Sequence, residues 1–177
     1  MKPRTPMKIS LLRYPTTEDW KRCLMLARST QGKDDNGLEP SEEWKRRMLV
    51  AGHSPIRTLP FTIRIEGIPY YSAMHYVRHK VGCEWFVSSQ RGDEDRADRK
   101  QGAEVTVILD CNAQALMNIL AMRLCKKADK VTRNCAVEIV CAVTDKCPEF
   151  RGLLMPRCGG ENYNCPEMVP CWKEKKE

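Results

Sequence analysis

Two groups of side chains in this sequence have the types and spacing of an anion site. Arg78, His79 and Lys80 stand consecutively in the stretch HYVRHKVGCEWFVSSQRGD, and Ser89 and Arg91 close it thirteen residues beyond Arg78. A Ser-x-Arg element offers a hydroxyl, backbone N–H groups and a planar guanidinium fork within three residues, a donor set suited to phosphate. The first group has an alternative reading, since cations at the C-terminal end of a helix offset its dipole without binding anything. Arg123 is a further candidate, or else an arginine whose stem is buried and whose head is solvated. Cys83 lies between the two groups, but no His-Asp partner is evident, so it is not read as a nucleophile.

A second chemistry is written in the thiols. Eight of the ten cysteines follow residue 110, and Cys158, Cys165 and Cys171 fall in a Gly- and Pro-rich tail. With Cys125 they would complete a tetrahedral four-thiolate zinc site and tie that tail down. Reduced thiols, or disulfides, are the alternatives. Cys135, Cys141 and Cys147 read as small core residues.

The elements that position these residues follow from periodicity. Met7 to Tyr14 reads as a strand, and Thr16 or Thr17 caps a helix to about Ser29 with Trp20, Cys23, Leu24 and Ala27 on one face. A loop follows to Pro40, and Ser41 caps a second helix that buries Trp44, Met48 and Leu49. Phe61, Ile63 and Ile65 alternate with Thr62, Arg64 and Glu66 as in a half-buried strand. Gly67 and Pro69 then turn the chain into a third helix, with Met74, Val77 and Val81 inward and Gly82 as its stop. On that helix His75, Arg78 and His79 share a face. Residues 91–102 form an exposed loop, Glu104 to Leu109 a strand, and Asn112 caps a helix with Leu116, Ile119, Leu120 and Leu124 inward. A last helix runs from about Lys130 to Lys146, closed by Pro148.

The 177 residues suit one domain with a proper core, here residues 1–155 with the cysteine-rich tail 156–177 packed on it. With 42% hydrophobic and 30% charged residues the chain reads as globular rather than disordered. No run is long enough to span a bilayer and the first residues lack a signal-peptide core, so a cytoplasmic protein without a membrane partner is expected. The net charge of +7 favours anionic partners without choosing among nucleotides, nucleic acid and acidic lipid.

In residue order the chain resembles the flavin-dependent thymidylate synthases (ThyX). That family's signature opens Arg-His-Arg and closes Ser-x-Arg-Tyr, and here the stretch runs from Arg78-His79-Lys80 to Ser89-Gln90-Arg91. Upstream, GHSP followed by LPFTIRIEG is similar to the family's order of elements. Downstream, NAQALMNILAMR resembles its Asn-Ala-x-x-Leu-x-Asn segment with a terminal arginine. The resemblance spans about residues 50–155. Lys80, Cys83, Trp85 and Gly92 depart from the family's Arg, Ser, Asn and Tyr.

The resemblance implies an α/β (α+β) ThyX-like fold, a mixed but mainly antiparallel sheet flanked by helices. It also implies reductive methylation of dUMP, with FAD as cofactor and methylenetetrahydrofolate and NADPH as co-substrates, in a homotetramer. By carry-over His53, Arg78, His79 and Lys80 would meet FAD. His75, Arg78, Ser89, Arg91 and Arg123 would meet dUMP, with Ser89, Arg91 and Arg123 at the reacting ring. Two alternatives stay open: a diverged relative acting on another pyrimidine nucleotide, and a zinc-stabilised nucleic-acid-binding module. The latter ranks last, because 7% aromatic residues leave few rings for base stacking.

Overall fold

The alternating segment that begins near Pro60 becomes the centre of the molecule. In a computed structural model, residues 7–88, 100–159, 165–171 and 173 are described. They form β1 (Lys8–Arg13), α1 (Thr17–Ser29), α2 (Glu42–Ala51), a 3-10 turn (Ser54–Thr58), β2 (Pro60–Pro69) and α3 (Tyr70–Tyr76). Then come β3 (Cys83–Val87), β4 (Glu104–Asn112), α4 (Ala113–Arg123), α5 (Lys130–Lys146) and a 3-10 turn (Pro148–Phe150). The strands form one sheet in the order β1-β2-β4-β3, and each pairing is antiparallel. This is the expected α+β architecture, an antiparallel sheet flanked by helices.

Period-two burial selects one face of the sheet. Phe61, Ile63 and Ile65 of β2 and Val105, Val107, Leu109 and Cys111 of β4 are buried, while Arg64 and Asp110 are exposed. Between Ile65 and Ile68 the register shifts, and Gly67 takes φ +74° there. Gly67 is thus a bulge within β2 rather than the turn expected from sequence. The extra residue lets Ile68 face inward although it lies three positions after Ile65.

The helices close over that face. Thr16 and Asp19 form a reciprocal capping box for α1, Ser41 caps α2 through Trp44 N–H at 3.2 Å, and Asn112 caps α4 through Ala115 N–H at 2.9 Å. Trp20, buried, donates its indole N–H to Glu149 at 3.0 Å, and Phe61 meets Phe150 edge to face at 5.4 Å. Each large apolar side chain buried in this way contributes about 1.5–3 kcal/mol before chain entropy is subtracted.

Three expectations are corrected. The third helix ends at Tyr76, not at Gly82, so Arg78 and His79 lie beyond it and do not share a helical face with His75. Val81 is 88% exposed, whereas Met74 does pack on the core. Cys141 is exposed, although Cys135 and Cys147 are core residues as expected. Cys83–Val87 also form a strand that was not expected, and its mark in the sequence is the alternation of buried or half-buried Cys83, Trp85 and Val87 with exposed Glu84 and Phe86.

Candidate functional site

The site is built on the turn between α3 and β3. Helix α3 is stopped by what holds its last residue. Tyr76 is buried, donates its hydroxyl to the Thr132 carbonyl of α5 at 2.7 Å, and lays its ring 5.8 Å from that of Trp85. Burial pushes the Tyr76 phenol well above its usual range, so it stays a neutral donor. Val77 N–H closes the last helical bond to Ala73, His79 N–H makes a turn back to Tyr76, and Gly82 at φ +71° redirects the chain into β3. The returning strand clasps the turn. The Trp85 indole N–H donates to the His79 carbonyl at 3.0 Å, and the Cys83 thiol donates to the same oxygen at 3.3 Å.

This turn carries His79 to Arg123, the last residue of α4. The Arg123 Nε–H donates to His79 Nε2 at 3.1 Å across 44 positions of sequence. An imidazole that accepts at Nε2 is neutral and bears its proton on Nδ1. Burial, and secondly the Arg123 charge, hold the His79 pKa below its ordinary value. Burial, and then nearby Arg78, lower the Arg123 pKa. The Arg78 charge thus disfavours that of Arg123, an opposition that an anion would relieve.

Lys80 and Gly82 of the turn also line an open cleft of about 400 Å³, together with Arg57, Glu84, Asp110 and Asn112 among others. That volume falls in the range of small-molecule sites, roughly 300–1,000 Å³. Gly82 is required here for a second reason: a Cβ on it would lie 2.7 Å from the Asn112 amide nitrogen. The donor set of Arg57, Lys80 and the Asn112 amide fits the phosphate groups of a nucleotide or of FAD, while Glu84 and Asp110 suit donors on sugar or base. Arg57 and Asn112 were not among the expected site residues; in the sequence Arg57 follows GHSP, and Asn112 was read as the cap of α4 and opens the segment NAQALMNILAMR.

The other expected residues scatter. Ser89 and Arg91 lie outside the described residues. His53, exposed at the start of the first 3-10 turn, borders two other clefts beside Met48 and is not among the residues lining the Lys80 cleft. His75 sits half-buried in the last turn of α3, where its charge helps lower the Asp129 carboxyl, behind hydrogen bonds from Thr132 and Val131. Cys125, Cys158 and Cys165 line one small cavity beside α4, and Cys171 is not among its lining residues. Among the described residues no group of three or more His, Cys, Asp or Glu side chains is arranged to hold a metal ion. Two hydrogen bonds join the tail to the rest of the chain: Arg157 N–H donates to the Ala121 carbonyl at 3.2 Å and Lys127 to the Val169 carbonyl at 2.7 Å. Among the described residues no helix is long and apolar enough to cross a membrane.

Neither a family model nor a curated protein matches the sequence. Solved structures do match the fold. Thymidylate synthase X (ThyX) from Helicobacter pylori, solved with FAD and dUMP, aligns with a TM-score of 0.63 at 13% identity, covering 84% of this chain and 97% of that one. The UMP/dUMP methylase PolB from Streptomyces cacaoi, solved with 5-Br dUMP, aligns with a TM-score of 0.67 at 14% identity, covering 85% and 95%. The chain therefore has the ThyX-like fold.

Proposed function

We propose that this chain is a diverged enzyme of the ThyX-like fold that methylates a pyrimidine nucleoside monophosphate, with dUMP the acceptor and dTMP the product. The observation that carries the reading is the His79–Arg123 contact. Each residue belongs to one of the two segments that resemble ThyX, and nothing local obliges those segments to meet. The fold neighbours add support, since one was solved with FAD and dUMP and the other with a dUMP analogue.

When bound, FAD would relay hydride from NADPH while methylenetetrahydrofolate supplies the carbon. The protein's own work is positioning and electrostatics. Arg78 and Lys80, both exposed, supply charge for the phosphate groups of FAD. Arg123 holds His79 neutral through Nε and keeps its terminal N–H groups for the nucleotide. By resemblance Ser89 and Arg91 complete the dUMP side, and a homotetramer would bring its subunits' residues to one site. The direct test is the absorption spectrum of the purified protein, then tritium release from C5-labelled dUMP with folate and NADPH. Flavin bands with tritium release are expected; a colourless protein that takes up no FAD and releases no tritium would defeat the reading.

A second acceptor is favoured by one observation. Trp85, where the family carries asparagine, is engaged with Tyr76 and the His79 carbonyl and is not free to contact a base as an amide would. Calorimetry with dUMP, UMP and dCMP separates the acceptors, and a preference for UMP or dCMP would replace dUMP in the assignment.

A further inference from the structure

Cys83 and Cys111 face each other as direct partners across the β3–β4 ladder. Asn112 N–H donates to the Gly82 carbonyl at 3.1 Å, and Ser88 N–H to the Thr106 carbonyl at 2.8 Å. Counting along the ladder from either bond, Cys83–Cys111 falls at a non-hydrogen-bonded pair. Such partners have Cα atoms about 4.5 Å apart with their side chains close on the same face. That spacing is inside the roughly 4.4–6.8 Å window of a disulfide. Both residues are largely buried and border the cleft that also holds Lys80, which makes that cleft the route by which a small solute would reach them.

From this geometry we propose that Cys83 and Cys111 form a two-electron thiol–disulfide couple whose oxidant is a small-molecule disulfide such as oxidised glutathione. Cys83 loses its proton to solvent and its sulfur attacks one sulfur of the reagent, breaking that S–S bond and releasing one thiolate. Cys111 then loses its proton and attacks Cys83 Sγ, which expels the second thiolate. The protein gives up two hydrogens, and the reagent, two electrons richer, becomes two thiols. Burial raises the pKa of both thiols, and for Cys111 the neighbouring Cys83 adds to the rise, so the exchange is slow at neutral pH and speeds up as pH increases. Oxidation removes the S–H that donates to the His79 carbonyl and leaves Trp85 as its holder. The redox state of the pair therefore reaches the nucleotide site, a consequence that rests on the function proposed above, whereas bond formation does not.

The experiment uses the intact, fully reduced chain, equilibrated at graded ratios of oxidised to reduced glutathione, acid-quenched, alkylated and digested with trypsin. Fragments 81–91 and 101–123 each contain a single cysteine, so their cross-linked product identifies the bond without ambiguity. The expected result is that product as the principal oxidised species, reversed by dithiothreitol and lost in Cys111→Ser. Recovery of both fragments alkylated under excess oxidant, or joined only to other cysteines or to glutathione, overturns the proposal. The coupling is read separately in the imidazole proton spectrum, which is simple because the chain has three histidines. The His79 signal should move on oxidation, and a signal that stays fixed while the bond forms removes the link to the site. Bond formation in a protein that binds no nucleotide would sink the proposed function and leave the couple standing.

Discussion

Replacing Arg123 by methionine isolates the contact on which the functional reading stands. Methionine keeps an unbranched stem and removes the charge and the Nε–H donor. A hydrogen bond from a charged donor contributes about 1.5–3 kcal/mol, and its loss here is offset by ending the desolvation of a guanidinium and its repulsion with Arg78. Because Arg123 is only half-buried, a net destabilisation of about 1 kcal/mol is expected, a fall in Tm of roughly 2–4 °C for a chain of this size. The more diagnostic effect is on His79. Its pKa is depressed first by burial and then by the Arg123 charge, so Arg123→Met should raise it part of the way back. In the parent protein the unfolded chain binds this proton below about pH 6.5 while the folded protein still refuses it. Stability is accordingly full above that pH and is lost as pH falls from it through the folded pKa. The variant should lose less over the same window. Proton NMR titration of the imidazoles together with urea unfolding from pH 7.5 downward measures both. A parent His79 that titrates at or above the ordinary value, or one that does not move in Arg123→Met, would refute the contact and with it the main support for the site.

Gly82→Ala forces a side chain into positive φ, about 1–2 kcal/mol of backbone strain, and its Cβ against Asn112; thermal unfolding should show a loss of at least that size. An unchanged Tm would mean that the turn is not held as described. Lys80→Met removes an exposed cation from the cleft, and dUMP or FAD titration should show a loss of up to roughly fivefold that shrinks as salt is raised. No change at low salt would place the anion elsewhere. Phe61→Ala empties a fully buried position against Phe150, and urea unfolding should report about 3–5 kcal/mol.

Most elements were legible because they depend on near neighbours. Caps at Thr16, Ser41 and Asn112 and the alternation of Phe61, Ile63 and Ile65 involve residues within four positions of one another, and each formed as read. Arg123 too was marked, by its place at the end of the segment NAQALMNILAMR that resembles ThyX. What the sequence did not reveal depends on distant partners. The helical period of Met74, Val77 and Val81 was a local signal overruled when β3 paired with β4, drew Trp85 and Cys83 onto the His79 carbonyl, and converted the expected last turn of a helix into a fold-back. The same pairing set Cys83 against Cys111, and the packing of α4 beside that turn brought Arg123 to His79. The residue types that favour an anion were thus determined by the sequence alone. Which of them meet was decided by the tertiary structure, because strand register and helix packing are fixed by contacts between residues far apart in the chain, and no short window of sequence contains both halves of such a contact.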